Sequence, residues 1–360
     1  MSRIRLLSES TVNRIAAGEV IERPAAATKE LVENALDAGA TRIVVCLDGG
    51  GIDRLEVTDN GVGMSDAELA MCVLRHATSK LTDYNLVRIT TLGFRGEALP
   101  SIGAAARLQI TSRPPGAENA CVISVEGGHV SVVAPAAGSM GTRVVVRDLF
   151  FAIPARRKFL KTPRIEAEHA EAVVRRLALS APDVAFRLEL DGRVAFEAPA
   201  QPRIQRVAAL FGPEAAAVML PVHQDRDLPT GGIPTDQISD APGGDAPINR
   251  SADEHKRTLR ISGYICSPAV TRATPVAQTL IVNNRPVADP VLRTAVRVAY
   301  RDVIAAGRHS IVALYLDVPP DDLDVNVHPA KTELRFRDAN AIRSLLIGSV
   351  RRTLGVGTGQ

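Results

Sequence analysis

Tryptophan is absent from the 360 residues and aromatic residues make up only 3% of them. Stacking of unpaired bases on aromatic faces is therefore not expected to dominate any nucleic-acid contact. No stretch approaches the roughly 18 uninterrupted apolar residues of a membrane span, and Met1-Ser2-Arg3-Ile4-Arg5 lacks an apolar signal core. These absences point to a soluble, cytoplasmic protein that does not engage a membrane. The four cysteines, Cys46, Cys72, Cys121 and Cys266, form no C-x-x-C pair and read as buried thiols in a reducing compartment. None of the seven histidines has ligand partners at zinc spacing. The phosphate-loop pattern G-x-x-x-x-G-K-[ST] is missing throughout, so a nucleotide would have to be held in another way.

What is present suffices for two ordinary domains, since 46% of the 360 residues are hydrophobic. A formal charge of +3 and a pI near 8.8 permit nucleic-acid contact without demanding it. The first unit, residues 1–200, reads as helices layered on one mixed sheet. Strands are expected near 42–47, 52–58, 107–112, 121–126, 130–134 and 142–148, and helices near 24–38, 97–102 and 165–181. The Pro-Ala stretch 198–202 reads as a sparsely packed linker. Residues 201–222 with 257–352 form a second, α/β unit. Between its parts, 223–256 is rich in Pro, Gly, Asp, Ser and Thr with almost no large apolar side chains. Such a composition cannot offset its own ordering entropy, so a disordered insertion is expected there. The fold class is α+β.

The chemistry gathers on Lys29-Glu30-Leu31-Val32-Glu33-Asn34-Ala35-Leu36-Asp37. At about 100° per residue, Leu31, Val32, Ala35 and Leu36 fall on one side and Lys29, Glu30, Glu33, Asn34 and Asp37 on the other. Pro24 suits the first helical turn and Gly39 the left-handed position past the last. Glu30 and Asn34 are one turn apart, so a carboxylate and an amide carbonyl converge on one spot. Strand 52–58 then ends on Asp59-Asn60-Gly61-Val62-Gly63, a carboxylate beside backbone that favours glycine. Residues 76–99 show no sustained period and read as a mobile lid. Within them Gly93-Phe94-Arg95-Gly96 places glycine-flanked amides before a helix, where phosphate oxygens can be held.

These segments, together with Ile15-Ala16-Ala17-Gly18-Glu19-Val20-Ile21-Glu22-Arg23-Pro24, Arg75-His76-Ala77-Thr78-Ser79-Lys80, Leu92-Gly93-Phe94-Arg95-Gly96-Glu97-Ala98-Leu99 and Asn326-Val327-His328-Pro329-Ala330-Lys331, resemble the GHKL ATPase superfamily. Within it they are most similar to the MutL mismatch-repair family, in the same order and over nearly the whole chain. The resemblance implies a GHKL ATPase domain followed by a domain like the second domain of ribosomal protein S5. It implies ATP and Mg²⁺ as cofactors, a MutS-like mismatch-recognition protein and DNA as partners, and a nucleotide-gated clamp that couples recognition to downstream repair.

By the same resemblance Glu30 orients and deprotonates the attacking water, Asn34 offers its amide oxygen to Mg²⁺, and Asp59 accepts a hydrogen bond from the adenine amino group. Gly61 and Gly63 let the backbone approach the ring. Lys80 and the backbone of Gly93, Phe94, Arg95 and Gly96 close over the phosphates, and Lys331 reaches the γ-phosphate from the second unit. ATP-driven self-association, with residues 4–10 reaching toward the partner, is also implied. The family's C-terminal dimerisation domain, and any nuclease activity with it, is expected to lie outside these residues.

Two basic features stand out for DNA. Arg156-Arg157-Lys158, with Lys161 and Arg164, reads equally as a solvated helix start or a phosphate-binding segment. Arg285 occupies a position that resembles a DNA-binding arginine of the family. Binding is expected to be to the backbone and independent of sequence. Two rival readings are a GHKL ATPase of the topoisomerase or chaperone class, against which the Arg75 and Asn326 segments argue, and a DNA-binding module that uses ATP only as a structural ligand.

Overall fold

A computed structural model of the chain describes residues 9–75, 77, 92, 96–228, 257–324 and 334–355, with side chains from residue 15 onward. Two helices come first, α1 (Glu9–Val20) and α2 (Pro24–Asp37). Pro24 opens α2 and Gly39, at φ +70°, follows its C-cap Ala38, so the chain turns sharply into the sheet. β1 (Arg42–Asp48) and β2 (Arg54–Asp59) pair antiparallel around the glycines Gly49–Gly51. Gly50 shows why glycine is needed there: a Cβ would stand 2.2 Å from the carbonyl oxygen of Pro163.

α3 (Asp66–Cys72) starts on the Ser65–Glu68 capping box. α4 (Ala98–Ala105), β3 (Arg107–Arg113), β4 (Ala120–Glu126), β5 (His129–Val130), β6 (Ala134–Ala136), β7 (Gly141–Arg147), α5 (Pro154–Arg157), α6 (Pro163–Ser180), β8 (Ala185–Leu190) and β9 (Arg193–Ala198) complete the first unit. Among the described residues its sheet runs β5-β4-β3-β7-β2-β1-β8-β9, with β6 beside β4, and is mixed because β1 and β8 are parallel. α1, α2, α4 and α6 cover one face, where Ile43, Val45, Leu55, Val57, Ile110 and Phe186 meet Leu31, Val32, Ile102 and Val174. The other face carries ion pairs among the described residues. Glu56 bridges Arg54 at 2.6 Å and Arg143 at 2.8 Å; burial pushes its carboxyl up, but the hydrogen bonds from Arg143 and Arg54 hold it below the ordinary value.

The second unit contains α7 (Arg203–Phe211), α8 (Pro213–Ala216), β10 (Met219–Asp227), β11 (Thr258–Cys266), β12 (Gln278–Val282), β13 (Arg285–Val287), α9 (Pro290–Tyr300), β14 (Val312–Asp317), β15 (Leu323–Asp324), β16 (Arg335–Phe336) and α10 (Ala339–Thr353). Its main sheet has the order β10-β11-β14-β12-β13. α9 and α10 pack on each other over Ile261, Leu280, Leu314, Val296 and Leu346. Asn283 and Asn284, at φ +48° and +64°, make the tight turn between β12 and β13, as the two central residues of a two-residue hairpin loop do.

Two expectations need correction. β10 extends to Asp227, paired in register with β11 down to Thr258, so residues 223–227 of the expected insertion are strand; 229–256 lie outside the described residues. Its mostly exposed burial pattern is that of an edge strand, whose polar composition resembles a loop. The expected sparse linker needs a narrower correction: Pro199, Ala200 and Pro202 are exposed, but its backbone is tied down. Arg206, 0% exposed, donates to the carbonyls of Ala178, Pro182, Val184 and Pro199 at 2.7–3.0 Å. A guanidinium with five donors satisfies carbonyls that a Pro-rich turn leaves unpaired.

Candidate nucleotide site

The site is built where the polar face of α2 meets the end of β2. The face is well covered: Glu33 is 1% exposed, and the side chains of Lys29 and Glu30 are 16% and 18% exposed. Lys29 Nζ lies 3.1 Å from Glu33 Oε1 and 3.7 Å from Glu30 Oε1. At the C-terminal end of the helix the Leu92 amide donates to Asp37 Oδ1 at 2.9 Å, which brings the chain leading into α4 onto α2. Gly96, at φ +61°, turns it into that helix.

Asp59 ends β2 with 9% exposure and accepts from the Gly61 amide at 2.8 Å. Burial pushes its carboxyl above the ordinary aspartate value, against the opposing pull of the Gly61 and Thr142 amides. The turn that follows is held from several sides. Val62 donates to the Ala38 carbonyl just past α2, and the Met64 amide to Ser112 Oγ. Gly61 and Gly63 fit because a Cβ would stand 2.7 Å from the Ala38 oxygen at the first and 2.4 Å from the Arg113 oxygen at the second, where φ is +65°. Asp59, Gly61 and Gly63 are thus brought beside the end of the helix that carries Glu30 and Asn34.

Sequence reasoning missed several supports. Asn60 Oδ1 accepts from the Thr41 and Arg42 amides at 2.9 and 2.8 Å, which ties the turn to the start of β1. Gly141, at φ +106°, lies so close under the turn that a Cβ would stand 2.1 Å from the Asp59 carbonyl oxygen. Asn60 beside Asp59 and a glycine opening a strand are ordinary turn signals, and the register Asp59↔Thr142 is visible only in the folded sheet.

Arg285 is placed differently from its expectation. It is 5% exposed on β13, and the carboxylates acting on its guanidinium are those of Glu33, Asp37 and Glu30 on α2, while burial holds its pKa below the ordinary value. At this burial the guanidinium lies within the protein, within electrostatic reach of the α2 carboxylates. β13 packs on α6, which packs on α2, a placement one chain segment cannot reveal. Of the other basic residues, Arg157 and Lys158 are exposed, whereas Arg156 is half-buried with its Nε 3.2 Å from where a Cβ of Gly18 would be. Lys80, Gly93, Phe94, Arg95 and Lys331, and residues 4–8, lie outside the described residues.

The residues present fit Mg²⁺ in one respect. Among the described residues no group of three or more His, Cys, Asp or Glu side chains forms a metal cage, and a hard cation bound mainly through substrate phosphates needs only one or two protein oxygens. Asn34, on the covered face with Glu30, carries an amide oxygen of the kind such a cation takes.

Comparison with known proteins agrees with this architecture. Residues 22–131 match the family described as histidine kinase-, DNA gyrase B- and HSP90-like ATPase, and residues 246–355 the family described as DNA mismatch repair protein, C-terminal domain. The DNA mismatch repair protein MutL of Acidiphilium cryptum is 53% identical over 351 residues, covering 98% of this chain and 55% of that protein. That of Paramagnetospirillum magneticum is 49% identical over 352 residues, covering 98% and 54%. The chain thus spans about half the length of the curated relatives it matches. Among solved structures, the N-terminal domain of a DNA repair protein superposes with a TM-score of 0.78 at 24% identity, covering 96% of this chain and 98% of its own. The Aquifex aeolicus MutL ATPase domain complexed with ADP superposes with a TM-score of 0.60 at 23% identity, covering 91% and 98%. At those identities the structures speak to the fold.

Proposed function

Because the chain belongs to the MutL family of DNA mismatch repair proteins and carries its ATPase region, we propose that it binds ATP with Mg²⁺ and hydrolyses it to ADP and phosphate at the junction of α2 and β2. The observation that carries this is the joining of two motifs distant in sequence. The turn after Asp59 is hydrogen-bonded to the end of the helix that bears Glu30 and Asn34.

In this reading Asp59, buried and held by backbone amides, accepts from the adenine amino group, while Gly61 and Gly63 let the ring approach. Glu30 orients water and takes its proton. Asn34 would hold Mg²⁺, which when bound would offset phosphate charge. Lys80 and the backbone of Gly93, Phe94, Arg95 and Gly96 close over the triphosphate, and Lys331 brings positive charge to the γ-phosphate. That the Aquifex domain is a complex with ADP supports a nucleotide in this fold.

The ATPase is then the gate of a soluble, cytoplasmic clamp that self-associates on ATP binding, meets a MutS-like protein and holds the DNA backbone through Arg156, Arg157 and Lys158. The test is steady-state phosphate release with and without Mg²⁺. Magnesium-dependent turnover is expected, and nucleotide binding with no turnover would leave ATP a purely structural ligand.

A further inference from the structure

The segment between α5 and α6 shows a feature that backbone binding does not use. Phe159 is 83% exposed. Its neighbours in the chain are cationic: Arg157, Lys158 and Lys161 are all exposed, and so is Arg164. The backbone there is fixed. The Phe159 amide donates to the Arg156 carbonyl at 2.9 Å, the Leu160 amide to that of Arg157 at 3.3 Å, and the Lys161 amide to Oε1 of the buried Glu166 at 2.9 Å. Leu160 packs against the core of the first unit. The ring is therefore displayed from an ordered turn.

Beside it lies a cleft of about 270 Å³ lined by Gly49, Asp53, Arg157, Leu160, Lys161 and Pro163. Arg157 and Lys161 supply two cations for a phosphate, and Asp53 an acceptor for a donor group. Its volume lies just below the range of sites that enclose a whole small molecule, so it suits one part of a nucleotide with the rest outside. A base pair stacked inside a duplex has no free face to offer Phe159, whereas an unpaired base does.

We propose that this segment is a subsite for single-stranded DNA, in which Arg157 and Lys161 hold a backbone phosphate at the cleft and an unpaired base stacks on Phe159. The proposal rests on the reading that this basic segment contacts DNA. It revises the expectation drawn from low aromatic content, because composition counts aromatic residues and says nothing of which are displayed among cations.

The test compares a single-stranded oligonucleotide with a blunt duplex of the same sequence by fluorescence anisotropy. Phe159→Ala is expected to weaken single-strand binding by about 5- to 100-fold and to leave duplex binding within about twofold. Arg157→Glu is expected to weaken both. The chain has no tryptophan, so Phe159→Trp adds its sole indole, whose emission should be quenched by the single strand and not by the duplex. Unchanged or equally weakened binding of both DNAs by Phe159→Ala overturns the subsite. If Arg157→Glu nevertheless weakens both, the backbone reading survives. No effect of either substitution on either DNA overturns both.

Discussion

The hydroxyl of Tyr315, on the central strand β14 of the second sheet, donates to the carbonyl of Leu179, in the last turn of α6, across 2.9 Å. Arg203 lies over the same ring, 3.9 Å from its centroid, and Leu179, Val207, Ile281, Ala313 and Tyr315 form a small core around it. The other flank of α6 packs against α2. One helix thus connects α2 to the second sheet, and the buried Arg285 lies within electrostatic reach of the α2 carboxylates. Tyr315→Phe should cost about 1–2 kcal/mol by leaving the Leu179 carbonyl without its donor. Arg206→Met, which strips several buried carbonyls at once, should cost on the order of 3 kcal/mol or more. Urea unfolding checks both, and equal stability of the two variants would contradict the ranking.

Glu30→Ala should bind ATP and lose turnover by about 10²- to 10⁴-fold, as expected when an activating base is removed. Asn34→Ala should lose the magnesium-dependent part of its affinity. Titration with a fluorescent ATP analogue, alongside phosphate release, separates these effects, and near-normal turnover in Glu30→Ala rules out its role.

Asp59 gives the site a pH dependence of known sign. Burial raises its pKa above the ordinary aspartate value, so its carboxylate is protonated earlier on acidification than that of a surface aspartate. Discrimination of ATP from GTP should therefore weaken as pH falls through that raised pKa, while Asp59→Asn should show little such dependence. In the nucleotide-free protein the native state binds this proton more tightly than the unfolded chain. The group's contribution to stability is then largest at low pH and is lost as pH rises through the folded pKa. Competition binding from about pH 4 to 8 reads the first effect. An Asp59→Ala variant that keeps the normal preference for ATP over GTP would exclude Asp59 as the base-reading group.

Lys331 tests the reason for having two units. If it reaches the γ-phosphate, ATP becomes a ligand that favours one arrangement of the units over another. The chain should be monomeric without nucleotide or with ADP, and should dimerise with a non-hydrolysable ATP analogue. Lys331→Ala should impair both dimerisation and hydrolysis while sparing adenine selection by Asp59. Sedimentation in the three nucleotide states decides it: an unchanged mass with the analogue refutes gating by this region.

Local chemistry in the sequence determined a good deal. The caps of α2, the polar split of its faces, the Ser65 capping box and the Asp59-Asn60-Gly61 turn depend on neighbours three or four residues away, so they can be read along the chain. The tertiary structure decided which distant segments meet. Gly141 matters because β7 lies beside β2 in register, Arg206 because its carbonyl partners come from separate parts of the chain, and Arg285 because the hairpin that carries it packs against α6, which places the guanidinium within electrostatic reach of α2. Each depends on contacts across tens to hundreds of residues, which leave no periodic trace. Exposure was decided in the same way: packing buried the cation Arg285 and displayed the aromatic ring of Phe159.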